Sequence, residues 1–147
     1  MINASIITKA VETLLINGLK AKAHDYKVSR GKYVNMNPEF APWVGIYRGS
    51  LDYDTATLGY GLNSWKALFE IKIIVQASSI KSGEQAEERL ENYIKDVLDV
   101  IMVDKTLGGS VSMINSASVE YSYNEVESES LYFQNAEITI GTEVRTQ

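Results

Sequence analysis

The sequence predicts an α+β fold: an antiparallel sheet of about four long, curved strands with two main helices packed on one face. Three observations carry that expectation. Two stretches, residues 4–20 and Ser82 to Met102, space their apolar residues at helical intervals, and several others alternate apolar and polar residues with a period of two. Glycines, prolines and polar runs separate these stretches. The 147 residues suit one hydrophobic core, and 45% hydrophobic with 22% charged residues is a globular mix that argues against disorder.

In residues 4–20, Ile6, Ile7, Ala10, Val11, Leu14, Leu15 and Leu19 define one face of a helix, while Lys9, Glu12, Thr13 and Asn17 take the other. Gly18 weakens its end, so the helix should fade by about residue 22. Residues 24–42 are mixed and polar, with room for a short strand around Lys32–Val34. Pro38 and Pro42 bracket Glu39-Phe40-Ala41 and deny it a regular ladder. Trp43-Val44-Gly45-Ile46-Tyr47-Arg48 is aromatic and β-branched and reads as a strand. The run from Gly49 to Trp65 reads as a loop, longer than the ~12–15 residues that ordinary connections reach. Its Tyr53, Leu58, Tyr60, Leu62 and Trp65 supply more apolar area than a solvated loop requires.

The clearest strand is Lys66–Ser78, where Ala67, Phe69, Ile71, Ile73, Val75 and Ala77 alternate with Lys66, Glu70, Lys72 and Gln76. At ~3.3 Å per residue it reaches about 43 Å, so a sheet of such strands must curve or project beyond its core. The capping box Ser82-Gly83-Glu84-Gln85 opens the second helix, with Ser82 serving orphan N–H groups and Gln85 reaching back. Glu84, Glu87 and Glu88 suit the positive end of its dipole. Its apolar face runs Ala86, Leu90, Tyr93, Ile94, Val97, Leu98, Ile101 and Met102. Gly108 and Gly109 supply the left-handed positions that end a helix and start a strand. Val111, Met113, Ala117, Val119, Tyr121 and Tyr123 then alternate with serines and Glu120, Asn124–Glu129 turns, and Leu131–Val144 returns. Tyr121 and Tyr123 are expected in the core. The apolar parity of the return strand switches between Phe133 and Ala136, which predicts a β-bulge there.

Fourteen basic against nineteen acidic residues leave a net charge of −5, which argues against an electrostatic grip on a nucleic-acid backbone. With no cysteine, disulfides, thiolate metal sites and cysteine nucleophiles are excluded, and the single histidine, His24, excludes a His-paired metal within one subunit. No run approaches the ~18 apolar residues that span a membrane, and the first residues lack a signal-peptide pattern. A soluble, intracellular or assembly-borne protein is expected.

The charge is spread unevenly. Residues 1–35 carry six basic and two acidic groups, a balance of +4, while residues 84–147 carry thirteen acidic and four basic, a balance of −9. Either these ends pair within one chain, or one subunit's basic end meets the next subunit's acidic end, a heterologous contact that closes into a ring when the rotation permits. On the second reading Lys20, Lys22, Lys27, Arg30 and Lys32 are inter-subunit charges. The long run after Gly49 is either a loop folded back over the core or an ordinary long hairpin, or else Asp52, Tyr53, Asp54, Leu58, Tyr60, Leu62 and Trp65 form a partner-contacting arm.

Catalytic patterns are sparse. His24 and Asp25 are neighbours without a nucleophile on an elbow-type turn, and no phosphate-cradling glycine signature occurs. Asp52 and Asp54 offer two carboxylates to a divalent cation, which wants several oxygen ligands. No catalytic residue, metal ligand or cofactor is therefore assigned, and a protein without enzymatic activity is expected. A small metal-dependent enzyme using Asp52, Asp54 and His24 is the alternative from another class.

The order of these elements resembles a known group. An amphipathic helix precedes the Trp43-Val44-Gly45-Ile46 strand and a glycine-rich loop; then come the long strand Ala67–Ala77, a capped helix, the turn Asp104-Lys105-Thr106-Leu107-Gly108-Gly109-Ser110-Val111 and two long antiparallel strands. This is similar to the tail terminator (tail completion, minor tail protein) family of long-tailed phages and related contractile systems. The resemblance spans nearly the whole chain in element order, and its sharp motif is the Asp104–Val111 turn. It implies a virion protein, assembled in the host cytoplasm, that forms a ring, usually of six subunits. Such a ring caps the tail tube, stops its polymerisation and offers a docking surface to head completion or neck proteins. The implied partners are a second copy, the tail tube protein and a head or neck protein, with no membrane and no specific nucleic acid. Head-to-tail connectors and tail-tube subunits are the neighbouring alternatives.

Overall fold

The computed structural model describes residues 2–31, 42–54, 66–122 and 132–145. Their elements are, in chain order, α1 (Ala4–Leu19), β1 (Lys27–Arg30), β2 (Trp43–Tyr53), β3 (Lys66–Ser79), α2 (Gly83–Met102), β4 (Met113–Ser122) and β5 (Tyr132–Arg145). The strands form one sheet in the order β1-β2-β3-β5-β4. Its inner pairings are antiparallel, and β1 runs parallel to β2.

The α+β class expected from the sequence holds, with two helices and a mixed sheet of five strands in place of an antiparallel one of about four. The added strand, Lys27–Arg30, is too short to display a period of two. The strand expected around Lys32–Val34 falls outside the described residues. A second correction concerns β2, which continues through Tyr53, so Gly49 to Tyr53 is strand rather than loop. A register shift between Arg48 and Leu51 absorbs one irregularity against β3. Gly49 suits that place, because a Cβ there would lie 2.9 Å from the Glu70 carbonyl oxygen.

Both helices lie on one face, α1 over β1 and β2, α2 over β3 and β5, and each packs against the other. Ile7, Val11, Leu15 and Leu19 from α1 and Leu90, Ile94, Val97 and Ile101 from α2 meet Val44, Ile46, Phe69, Ile71, Ile73, Val75, Ile138 and Ile140 from the sheet. Gly18 does more than weaken a helix end. A Cβ there would strike Val100 of α2, 2.9 Å from Cγ2 and nearer still to Cγ1, so the glycine permits the close approach of the helices.

The opposite face carries paired charges. Glu143 sits between Lys66 at 2.8 Å and Arg145 at 2.9 Å, and Glu137 meets Lys72 at 3.2 Å. Those contacts hold the Glu143 carboxyl below the usual carboxylate range, the Lys66 bond contributing most. Trp43 lies over Gly45 on this face and donates from Nε1 to Ser29 Oγ at 2.9 Å, tying β1 to β2.

The expected bulge in β5 is absent, since β5 pairs with β3 over fourteen residues without a shift. The parity switch has another cause. Phe133 and Asn135 face away from the helices beside Ser78 and Gln76, whereas Ala136, Ile138 and Ile140 face them, and both sets are buried. The shift lies instead in β4, between Ile114 and Ser116. Tyr121 is also corrected. It points to the helix side beside Ala136 but is 49% exposed, because α2 covers β3 and β5 and leaves the edge strand β4 open. Tyr123 lies outside the described residues. At the start of α2, Ser82 Oγ accepts from Gln85 N at 3.1 Å as expected, while the Gln85 side chain accepts from Ser79 Oγ at 2.5 Å instead of reaching back.

Candidate functional site

The motif that carried the resemblance is a self-satisfied turn. Leu107, Gly108 and Gly109 follow one another at φ 49°, 71° and 81°, so the two glycines take left-handed positions as expected and a leucine joins them. Asp104 holds the turn: its carboxylate accepts from Thr106 Oγ1 at 2.6 Å, Thr106 N at 2.9 Å and Gly108 N at 2.9 Å. These bonds, the Thr106 hydroxyl first, keep the carboxyl below its ordinary range. Leu107 is fully buried in the core cluster, which offsets the left-handed backbone it adopts.

A second fixed point is a cluster of rings. His24 and Tyr26 stand edge-to-face on Tyr93 of α2, with centroids 5.0 Å and 5.5 Å away. The Tyr26 hydroxyl donates to Asp96 Oδ2 at 2.6 Å. Burial first, then that bond, raises the Tyr26 phenol well above its ordinary pKa, and burial raises Tyr93 too. His24 is thus a packing residue between the approach to β1 and α2.

The candidate site residues fall in distinct places. Asp52 and Tyr53 close β2 opposite Leu68 and Ala67, and Asp54 N donates to Lys66 O at 2.8 Å. They lie at the end of a strand. Leu58, Tyr60, Leu62, Trp65 and Lys32 lie outside the described residues. His24 precedes β1 near the Trp43 end of β2, whereas Asp52 is at the other end, about 30 Å along at ~3.3 Å per residue. The structure therefore does not bring the proposed His24, Asp52 and Asp54 together. Among the described residues no group of three or more His, Asp or Glu is placed to hold a metal.

Lys20 and Lys22 follow α1, and Lys27 and Arg30 begin and end β1, so all four sit on the β1 side of the sheet. Arg30 Nη1 donates to Ser5 O at 2.9 Å and Thr8 Oγ1 at 3.4 Å, bracing the first turns of α1. Arg48 projects from the same face, two residues beyond the β1 partner Ile46. Arg30, Arg48, Ser5, Thr8 and Tyr47 line a cleft of about 420 Å³. Across the sheet, Glu87 and Glu91, one turn apart on α2, line a groove of about 230 Å³ with Tyr121 and Gln134. The two edges of the sheet are thus of opposite charge.

The sequence places Arg48 in a strand, Glu87 at the positive end of the α2 dipole and Glu91 on the outward face of α2, and assigns none of them to a site. A signal existed for Arg48, the one charge in the Trp43–Arg48 run. For Glu87 and Glu91, only the strand order places them beside the edge strand β4. No protein-family model matches the chain, and no curated protein matches it. No helix among the described residues is long and apolar enough to cross a membrane.

Proposed function

We propose that this protein is a structural virion component that assembles into a ring, caps the tail tube of a long-tailed phage, halts tube polymerisation and presents a docking surface to head or neck proteins. Copies associate head to tail, and six close the ring by likeness to the family that the element order resembles. No bond is made or broken in this role.

The observation that supports the reading best is that, among the described residues, the sheet has two unlike edges. One is the four-residue β1 flanked by Lys20, Lys22, Arg30 and Arg48, and the other is the ten-residue β4 flanked by Glu87, Glu91 and Glu120. An edge strand offers unpaired backbone donors and acceptors to a second chain. Unlike edges favour heterologous contacts, which close into rings, over the self-complementary patch of a two-fold dimer. A terminator needs that closure in one plane and a face that does not propagate along the tube.

Analytical ultracentrifugation of the purified protein, alone and with tail tubes, tests the reading. A closed oligomer, formed alone or on the tube, is expected, and particles lacking the protein should carry overlong tails. A monomer under both conditions, or turnover of a substrate, overturns it.

A further inference from the structure

We infer that the Arg30–Arg48 cleft is a carboxylate-binding site whose occupant is the Glu87–Glu91 shelf of a second copy of this chain. The inference rests on the ring reading above and names the contact that would hold the ring.

The cleft is built for an anion. Two guanidinium groups share it, no carboxylate lines it among the described residues, and the Ser5 and Thr8 end of α1 forms its wall. Arg30 spends one nitrogen on Ser5 O and Thr8 Oγ1, and a guanidinium has five N–H donors in all. The Arg48 side chain makes no ion pair or hydrogen bond among the described residues, and the ion pairs of the charged face, Lys66–Glu143, Arg145–Glu143 and Lys72–Glu137, involve neither arginine. Two like charges in one recess repel until an anion arrives, and a planar guanidinium matches a carboxylate with two parallel bonds.

A second copy is the occupant that the charges favour. Glu87 and Glu91 are exposed, form no ion pair among the described residues, and repel each other one helical turn apart. The cleft lies at the β1 side of the sheet and the shelf at the β4 side, both on the helix-bearing face. Copies set side by side therefore present one to the other without turning over. The levels differ: Tyr121 is in register with Ala136, Val75 and Val44, four residues short of Arg48. That offset is about 13 Å at ~3.3 Å per residue, part of which the long side chains span, so neighbouring copies sit staggered along the strand direction.

The test uses the full-length protein at low salt, with sedimentation velocity reading self-association and circular dichroism verifying folding. Arg48→Glu is the main variant, since Arg30 also braces α1. It should weaken association by about tenfold, and Glu87→Lys with Glu91→Lys should do the same. An equimolar mixture of the two variants should regain association to within about twofold, because each then meets its opposite charge. Rising salt should weaken the wild type. If Arg48→Glu is neutral while the wild type forms rings, or if the mixture stays dissociated, the contact is wrong and the ring reading stands. A wild type that stays monomeric even with tubes removes both. Inorganic phosphate that binds the wild-type cleft, measured by calorimetry, without weakening association would overturn the assignment of a second copy as occupant.

Discussion

Gly18→Ala offers a sharp test of the packing. Alanine is the better helix former by up to about 1 kcal/mol, so on propensity alone the substitution stabilises α1. The structure reverses that sign. The new methyl would meet both γ-methyls of Val100, with Cγ2 at 2.9 Å, and a β-branched side chain has little rotamer freedom with which to withdraw. Overpacking of this kind costs about 1–3 kcal/mol, leaving a net loss of roughly 1 kcal/mol, or about 2–4 °C for a chain of this length. In a Val100→Ala background the obstruction is gone, and Gly18→Ala should then stabilise by about 0.5–1 kcal/mol. The assay is a double-mutant cycle by urea denaturation at fixed protein concentration, with a coupling of about 1–3 kcal/mol expected. If Gly18→Ala has the same effect in both backgrounds, within about 0.3 kcal/mol, the helices do not touch there and the argument fails.

Leu107→Ala should cost about 3 kcal/mol despite lying in a turn, because that side chain is fully buried; a change under about 1 kcal/mol in the same denaturation assay would place it at the surface. Asp104 has a depressed pKa in the fold, so its contribution is present above the unfolded value and is lost as pH falls through the folded one. Asp104→Asn should therefore flatten the acid limb of the stability curve below the ordinary carboxylate range, and an unchanged limb would refute the hydrogen-bond assignment. Tyr26 has a raised pKa, so the stability it lends is full below its unfolded value of about 10 and falls as pH rises beyond it. Tyr26→Phe should cost about 1–2 kcal/mol at neutral pH and remove one late-ionising phenol from the ultraviolet titration, where the wild type keeps it protonated.

Patterns with long periods were readable from sequence, and short or context-bound ones were not. The stripe of α1 and the alternation of β3 each repeat often enough to identify the element and its buried face. The Ser82 cap and the Gly108-Gly109 turn are legible because backbone geometry dictates the residue type. β1 has four residues and gains its identity only by lying beside β2, so nothing local announces it. The extension of β2 past Gly49 was hidden because the residues that form its bulge also look like loop. The parity switch in β5 was misread for a related reason: Phe133 and Ala136 are both buried, on opposite faces, and a one-faced expectation turns that into a bulge. Charge asymmetry groups Lys20, Lys22, Lys27 and Arg30, and of these Arg30 alone lines the cleft. The juxtaposition of Arg48 with Arg30 and of Glu87 and Glu91 with the edge strand β4 depends on strand order, which no single segment encodes.

The placement of β5 between β3 and β4 has a consequence for biosynthesis. The sheet's central partnership joins Lys66 to Arg145 and Ser79 to Tyr132, contacts that the ribosome separates by the whole of α2 and β4. Until β5 emerges, the nascent chain must carry Ile71, Ile73 and Val75 on a strand with one side unzipped, the state most open to sticking to its neighbours. Closing the β3–β5 pair must accordingly wait for β5, and its tempo is governed by a long-distance reunion more than by the quick formation of α1 and α2.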